Sequence, residues 1–163
     1  MRFDRFDAEA RDTLVRAKRL AREFHHQRLL PEHLLFGVLE RTSGEGSRLL
    51  RSIGADPALL LAGVEERLRR EPKVYGGDEI YLARPAQRVL EAALRRVPSE
   101  QHPGEADLLE VLAGLEGEPV GELLRRQGAT ADALRQRRPG RRPTVSTGAP
   151  PSAAAPGEAP PVS

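Results

Sequence analysis

Apolar residues recur at steps of three and four along most of the chain, which is the spacing of one face of an α-helix. The first run begins near Asp7 and predicts an amphipathic helix of about 18 residues, because most charged residues fall outside its stripe. Three further runs follow in the first half and four in the second, so the pattern predicts an all-α, eight-helix fold. The stripes of the first half contain Ala10, Leu14, Ala17, Ala21, Phe24, Leu34, Leu35, Val38, Leu39, Leu49, Leu50, Ile53, Leu60, Leu61, Val64 and Leu68.

Proline, glycine and capping residues indicate where these helices begin and end. Pro31 suits the first turn of the second helix. The third helix spans about 46–53 and ends at Gly54, which can adopt a left-handed conformation. Asp56-Pro57 then supplies a cap and a first-turn proline for the fourth helix. Gly37 lies inside the second helix, where we expect it to allow a neighbouring helix to approach closely.

The two halves of the chain resemble each other. A shift of 74 places residues 49–55 (LLRSIGA) on 123–129 (LLRRQGA), with five identities in seven positions. A shift of 75 pairs Phe6 with Tyr81, each just ahead of the first helix of its half, so pseudo-symmetry is expected to bring them near each other. The sequence therefore predicts a pseudo-symmetric tandem repeat of a four-helix unit.

Composition divides the chain into a folded domain and a tail. Repeat one covers about 1–70 and repeat two about 81–138, separated by a stretch that contains Pro72 and a Gly-Gly pair. Residues 139–163 contain seven Pro, three Gly and five Ala, and such a segment has too little apolar surface to offset the entropy of ordering. We expect one domain over 1–138 and a disordered Pro/Ala-rich tail.

Composition and charge narrow the class of protein. The 163 residues contain no cysteine, which excludes disulfides, thiolate metal sites and cysteine nucleophiles. No apolar run approaches the ~20 residues of a membrane span, and a cytoplasmic location is expected. The net charge is +2, and the one dense basic cluster is Arg135–Arg142.

Several strings resemble the Clp N-terminal domain, also called the Clp repeat domain, of the Clp-family AAA+ unfoldases. They are the run Arg5-Phe6-Asp7 before the first helix, the motif PEHLLFGVL over 31–39, and the inter-repeat stretch REPKVYGG over 70–77. The inter-repeat stretch resembles the disaggregase branch (ClpB) more than the protease-partner branch (ClpC). The resemblance covers about residues 1–138.

This resemblance implies an eight-helix module without catalysis of its own, which binds unfolded client segments or adaptors in an apolar groove. It also implies a phosphoarginine-type contact at Glu32, although the equivalent positions of the second repeat are Ala106 and Asp107. The sequence has no G-x-x-x-x-G-K-[ST] loop, so no ATP hydrolysis by that loop is expected. Such a chain is either a stand-alone Clp-repeat protein or the leading part of a longer one.

Three aromatic residues are candidate client contacts: Phe3, Phe6 and Tyr81. Phe6 and Tyr81 can staple helix starts by packing on the next turn. Alternatively, Phe3 and Tyr81 border the client groove, because exposed aromatic surface marks recognition.

Glu32 and His33 suggest acid–base chemistry, but adjacent helix positions point about 100° apart and do not converge on one substrate. Glu32 can instead stabilise the start of its helix, and His33 can pack or hydrogen-bond between the repeats. The four histidines lack the i, i+4 spacing of a helical zinc site, so no metal or cofactor is expected.

The sequence therefore predicts a non-enzymatic protein-binding module for unfolded segments or adaptors, with Phe3, Phe6, Tyr81 and Glu32 as its contacts. One alternative is a regulator that docks on a Clp unfoldase ring. A second is nucleic-acid binding through Arg135–Arg142. That cluster lacks neighbouring aromatic residues for base stacking, so a basic helix end running into the tail explains it as well.

Overall fold

The computed structural model describes residues 3–77 and 79–138, and the predicted tail lies outside them. This part contains eight helices, which confirms the all-α prediction, and two strands of two residues each. The helices are α1 Ala8–Glu23, α2 Pro31–Glu40, α3 Glu45–Ser52, α4 Pro57–Arg70, α5 Arg84–Arg95, α6 Glu105–Ala113, α7 Pro119–Arg126 and α8 Ala131–Arg137. The strands are β1 Arg28–Leu29 and β2 Tyr81–Leu82.

The helix ends follow the capping signals of the sequence. The Asp7 carboxylate accepts a hydrogen bond from the Ala10 N–H at 2.8 Å and starts α1. Gly54 and Gly128 end α3 and α7 with φ of +87° and +81°. After each glycine the next N–H returns to the helix, from Ala55 to the Leu50 carbonyl and from Ala129 to the Leu124 carbonyl. The two repeats therefore share the same helix termination.

Reciprocal backbone contacts join the two repeats. The Ala83 N–H at the start of α5 donates to the Leu29 carbonyl just ahead of α2, at 3.1 Å. The Asp7 N–H at the start of α1 donates to the Pro103 carbonyl just ahead of α6, at 3.0 Å. Each repeat thus begins its first helix against the entry to the second helix of the other. On the Leu29 side this contact includes the parallel pair β1–β2, which the sequence analysis did not predict.

Helix α2 packs against both α1 and α4, and Gly37 sets the α1 contact. A Cβ atom at Gly37 would lie 2.9 Å from the Thr13 carbonyl oxygen and 3.2 Å from its methyl group. The predicted reason for this glycine, close helix approach, is therefore confirmed. A single cluster of buried side chains from both repeats, nearly all of them aliphatic, forms the core. No helix in the described ranges is long and apolar enough to cross a membrane.

Candidate protein-binding surface

Tyr81 extends from β2 into solvent. Its N–H donates to the Gln27 carbonyl at 2.8 Å, which fixes the backbone, while its side chain is 56% exposed. The hydroxyl donates to the Glu79 carboxylate at 3.1 Å, and this contact raises the pKa of the phenol. An aromatic ring held outward by the backbone is available to a partner without rearrangement of the fold.

Phe6 occupies a different environment, although it is the sequence equivalent of Tyr81. Its side chain is only 2% exposed and belongs to the hydrophobic core, so in this conformation its ring does not face a partner. Phe3 is half-buried and packs against the same core, and its carbonyl accepts from the Phe6 N–H at 3.1 Å. The predicted contact surface is therefore reduced to Phe3 and Tyr81 among the aromatic candidates.

The expectation that Phe6 and Tyr81 lie near each other is wrong. Phe6 precedes the N-terminus of α1, whereas Tyr81 is bonded to Gln27, four residues beyond the end of α1. The 16 residues of α1 span about 24 Å at 1.5 Å per residue. Phe6 and Tyr81 each pack against the opposite repeat, but they do so at different ends of α1 and α5. The pseudo-symmetry therefore relates the two positions without placing them close together.

The segment between the repeats carries further exposed apolar surface. We call residues 71–80 the inter-repeat segment. Val74 is 43% exposed and Tyr75 69% exposed, and with Tyr81 they are three of the five large exposed hydrophobic side chains in the described part; the others are Val15 and Leu59. This stretch carries part of the family resemblance, but the exposure of its side chains was not predicted from the sequence. The sequence signal for this exposed surface is the apolar pair Val74-Tyr75, which lies between Pro72 and Gly76.

The inter-repeat segment packs on the turn that follows α1. The Val74 N–H donates to the His25 carbonyl at 2.7 Å, and the rings of His25 and Tyr75 lie 4.4 Å apart. His25 has φ of +60°, the left-handed conformation that non-glycine residues rarely adopt. This conformation bends the chain at His25, where the inter-repeat segment contacts it through Val74 and Tyr75.

Two buried histidines lie below this contact. His33 Nδ1 accepts from the Leu30 N–H at 2.8 Å, so its Nε2 carries the proton and donates to His26 Nδ1 at 2.9 Å. His26 Nε2 then carries a hydrogen, and the backbone carbonyls of Leu68 and Glu71 are the acceptors near this ring. Burial lowers the pKa of both rings, that of His33 to about 3. In the second repeat Asp107 replaces His33 and caps α6 equivalently, accepting from the Gly104 N–H at 2.9 Å.

Glu32 lies in the first turn of α2 and is 9% exposed. Burial is the main reason that the pKa of its carboxyl is raised; its backbone N–H and Arg67 oppose the shift, whereas Glu118 and Glu71 add to it. The surroundings of Glu32 thus contain more negative than positive charge and favour a cation. Ala106, the equivalent position in repeat two, is 1% exposed and offers no carboxylate.

The described part of the basic cluster is engaged within the fold. Arg138 lies 2.9 Å from both Asp107 and Glu110, which are buried. Arg135 pairs with Asp132 at 2.6 Å, and Arg137 donates to the Ser52 carbonyl at 2.9 Å. Three of the five arginines in Arg135–Arg142 therefore form contacts within the fold. The other two, Arg141 and Arg142, lie outside the described residues. Within the ranges described, no group of three or more His, Asp or Glu side chains is placed to hold a metal ion.

Comparison with known proteins agrees with this fold. The family described as "Clp repeat (R) N-terminal domain" matches residues 5–103. ClpB of Mesorhizobium japonicum is 28% identical over 139 residues, which are 83% of this chain and 16% of that protein. ClpB of Rickettsia conorii is 35% identical over 95 residues, which are 57% of this chain and 11% of that protein. The chain thus spans less than a fifth of the length of these relatives.

Solved structures share the architecture. The crystal structure of the Hsp104 N-terminal domain from Candida albicans superposes with a TM-score of 0.68 at 19% identity, covering 81% of this chain and 87% of that one. At this identity the likeness concerns the fold alone. The family match, however, covers more than half of the chain and agrees with the eight helices and with the ClpB relatives. This chain belongs to the Clp repeat N-terminal domain family.

Proposed function

We propose that the chain binds polypeptide segments, either unfolded clients or adaptors, and acts by binding without catalysis. The observation that supports this proposal best is the exposure of Val74, Tyr75 and Tyr81 within one short stretch. Exposed aromatic side chains on a well-ordered backbone are characteristic of recognition surfaces. The ClpB relatives are named chaperones, which is consistent with a protein ligand.

Binding would proceed by reversible burial of an apolar client stretch. An aromatic side chain buries about 150–250 Å² when fully covered, and each Å² of apolar surface contributes about 25 cal/mol. Tyr81 is 56% exposed, so about half of that area, roughly 75–125 Å², is left for a client to cover, which corresponds to about 2–3 kcal/mol. The Tyr81 N–H already donates to the Gln27 carbonyl, which limits the backbone entropy that would be lost on binding.

Phe3 would supply a second contact at the far end of α5. Tyr81 precedes α5, whereas the N-terminal segment lies against the loop after α5, where the Arg5 side chain donates to the Ser99 carbonyl at 3.4 Å. The 12 residues of α5 span about 18 Å, or roughly five residues of extended chain at ~3.3 Å each. A client that touched both aromatics would therefore lie along α5.

Glu32 would act as a polar anchor for a cationic client group. Its acidic surroundings favour a guanidinium, as the family resemblance implies, and only the first repeat carries the carboxylate. We therefore expect at most one such contact in this chain.

The proposal is tested by binding of fluorescently labelled casein, an unfolded model client, to the intact chain. Tyr81→Ala and Phe3→Ala should each weaken binding several-fold, as expected for truncation of an aromatic anchor. Melting should be nearly unchanged in Tyr81→Ala and lowered in Phe3→Ala, because Phe3 packs against the core. Leu59→Ala is the matched control, because Leu59 is 62% exposed on a different element, α4. Unaltered affinity in both aromatic variants would remove these residues from the client surface.

The salt dependence separates this function from nucleic-acid binding. Apolar client binding should persist at ~0.5 M salt, whereas binding driven by phosphate contacts should collapse. The ion pairs that occupy Arg135 and Arg138 favour the first outcome.

A further inference from the structure

A cavity of about 260 Å³ lies between the turn after α1 and the inter-repeat segment. At ~30 Å³ per water it could hold about eight water molecules, and hence a small polar group with part of a side chain. Its walls include Arg22, His26, Gln27, Tyr75, Gly76 and Gly77. We call it the inter-repeat cavity.

The lining of the inter-repeat cavity is rich in hydrogen-bond donors. Arg22 is its only charged lining side chain among the described residues, and it has no ion-pair partner among them. The side-chain amide nitrogen of Gln27 lies beside Gly77. The N–H groups of Gly76 and Gly77 donate to no described protein group.

Acceptors are scarce on the same walls. The carbonyls that end α1 are already occupied, because Phe24 donates to Leu20 and the His26 N–H donates to the Ala21 carbonyl. No carboxylate lines the cavity within the described ranges. An excess of donors around one cation is the arrangement that binds an oxyanion through charge-assisted hydrogen bonds.

Part of the remaining lining is apolar and indicates what carries the oxyanion. Val74, Ile80 and the Tyr75 ring form walls beside the donors, and a free inorganic anion would gain nothing from them. We propose that the inter-repeat cavity binds a carboxylate of the bound polypeptide, with the neighbouring apolar side chain of that polypeptide against Tyr75. This inference rests on the proposed function and specifies the chemistry of the segment that is bound.

The carboxylate has two sources, the C-terminus of a segment or an internal acidic side chain. Three probes distinguish them: an acetylated alanine–leucine tetrapeptide with a free carboxylate, the same peptide as its C-terminal amide, and an amide with one internal glutamate. Binding to the intact chain is followed by NMR shifts of the Gly76 and Gly77 amides.

We expect a carboxylate-bearing peptide to bind about tenfold more tightly than the plain amide, and Arg22→Gln to abolish that difference. Arg11→Gln is the matched control, since Arg11 is an exposed arginine on α1 that forms no ion pair with a described residue. Preference for the free C-terminus or for the internal glutamate identifies the source.

Equal binding of acid and amide, absence of shifts at Gly76 and Gly77, or equal effects of Arg22→Gln and Arg11→Gln would each overturn the inference. Casein binding in the Arg22→Gln variant separates this result from the proposed function. If casein still binds while the peptides show no carboxylate preference, only the role of the inter-repeat cavity is refuted. If casein does not bind the unaltered chain, the proposed function itself fails.

Discussion

The buried pair His26–His33 makes the stability of the domain sensitive to acid. His33 accepts the Leu30 N–H at one ring nitrogen and donates to His26 at the other. A proton added to His33 Nδ1 would meet the Leu30 N–H, and a proton added to His26 Nδ1 would meet the His33 N–H. Neither ring can become cationic without the loss of a buried hydrogen bond, in addition to the cost of burying the charge.

The size of the effect follows from the pKa of His33, which burial lowers from 6.5 to about 3 in the folded chain. The unfolded chain binds the proton more readily than the folded chain does. The stability that the neutral His33 contributes is therefore fully present above pH 6.5 and is lost as the pH falls from there toward 3. At 1.36 kcal/mol per pH unit, the loss between pH 7.5 and 5.0 is about 2 kcal/mol. His26 shifts in the same direction for the same reason.

Urea unfolding of the wild type and of His33→Asn at pH 7.5 and 5.0 measures this contribution. Asparagine can accept the Leu30 N–H as Asp107 accepts the Gly104 N–H in repeat two, but it does not titrate. The variant should be less stable at pH 7.5 and should lose about 2 kcal/mol less on acidification. His102→Asn alters an exposed histidine whose ring Nδ1 bonds the Arg5 carbonyl at 2.8 Å, a bond that the asparagine amide can replace, and it should lose as much stability on acidification as the wild type does. Equal losses in the wild type and His33→Asn would refute the reasoning.

Three further predictions concern packing and buried charge, and urea unfolding at neutral pH checks each. Gly37→Ala should lower the free energy of unfolding by about 1–3 kcal/mol through overpacking, whereas Gly114→Ala, whose added Cβ meets nothing closer than 3.5 Å, should change it little. Glu105→Gln should be neutral or stabilising at neutral pH, because it keeps the bond from the Gly46 N–H without the buried charge. Burial raises the pKa of the Glu105 carboxyl, so the contribution of this one group becomes more favourable as the pH falls, and the variant should lose more stability than the wild type when unfolding is repeated at pH 5.0. Arg138→Ala removes an ion-pair partner of the buried Asp107 and Glu110 carboxylates and should lower the free energy of unfolding by about 3 kcal/mol. The exposed Arg126→Ala should lower it by only about 0–1 kcal/mol.

Local signals in the sequence were sufficient to predict the helices. The 3.6-residue apolar period, the caps at Asp7 and Asp56 and the glycine at Gly54 act within a few residues of the structure they determine. The pair β1–β2 could not be predicted in this way, because two residues are too few for an alternating pattern. Its pairing is fixed by the packing of the two repeats.

The candidate surface was predictable only in part, for a related reason. Tyr81 and Phe6 have the same relation to the helix that follows, so their sequence context gave no reason to expect 56% exposure for one and 2% for the other. Likewise, the contacts of Arg138 with Asp107 and Glu110 depend on how α8 packs on α6. Periodicity predicts which face of an element is apolar, but the exposure of a loop residue depends on distant parts of the chain.

The two repeats share their backbone contacts but differ in the side chains placed on them. Ala83 and Asp7 start their helices against equivalent carbonyls of the opposite repeat. Beside one contact Tyr81 faces solvent with the inter-repeat segment nearby, whereas beside the other Phe6 is part of the core. The inter-repeat segment occurs once, because it is the connection between the repeats. A symmetric backbone therefore presents one exposed apolar surface of this kind, and if that surface binds the client, the domain should take up one polypeptide segment there and not two.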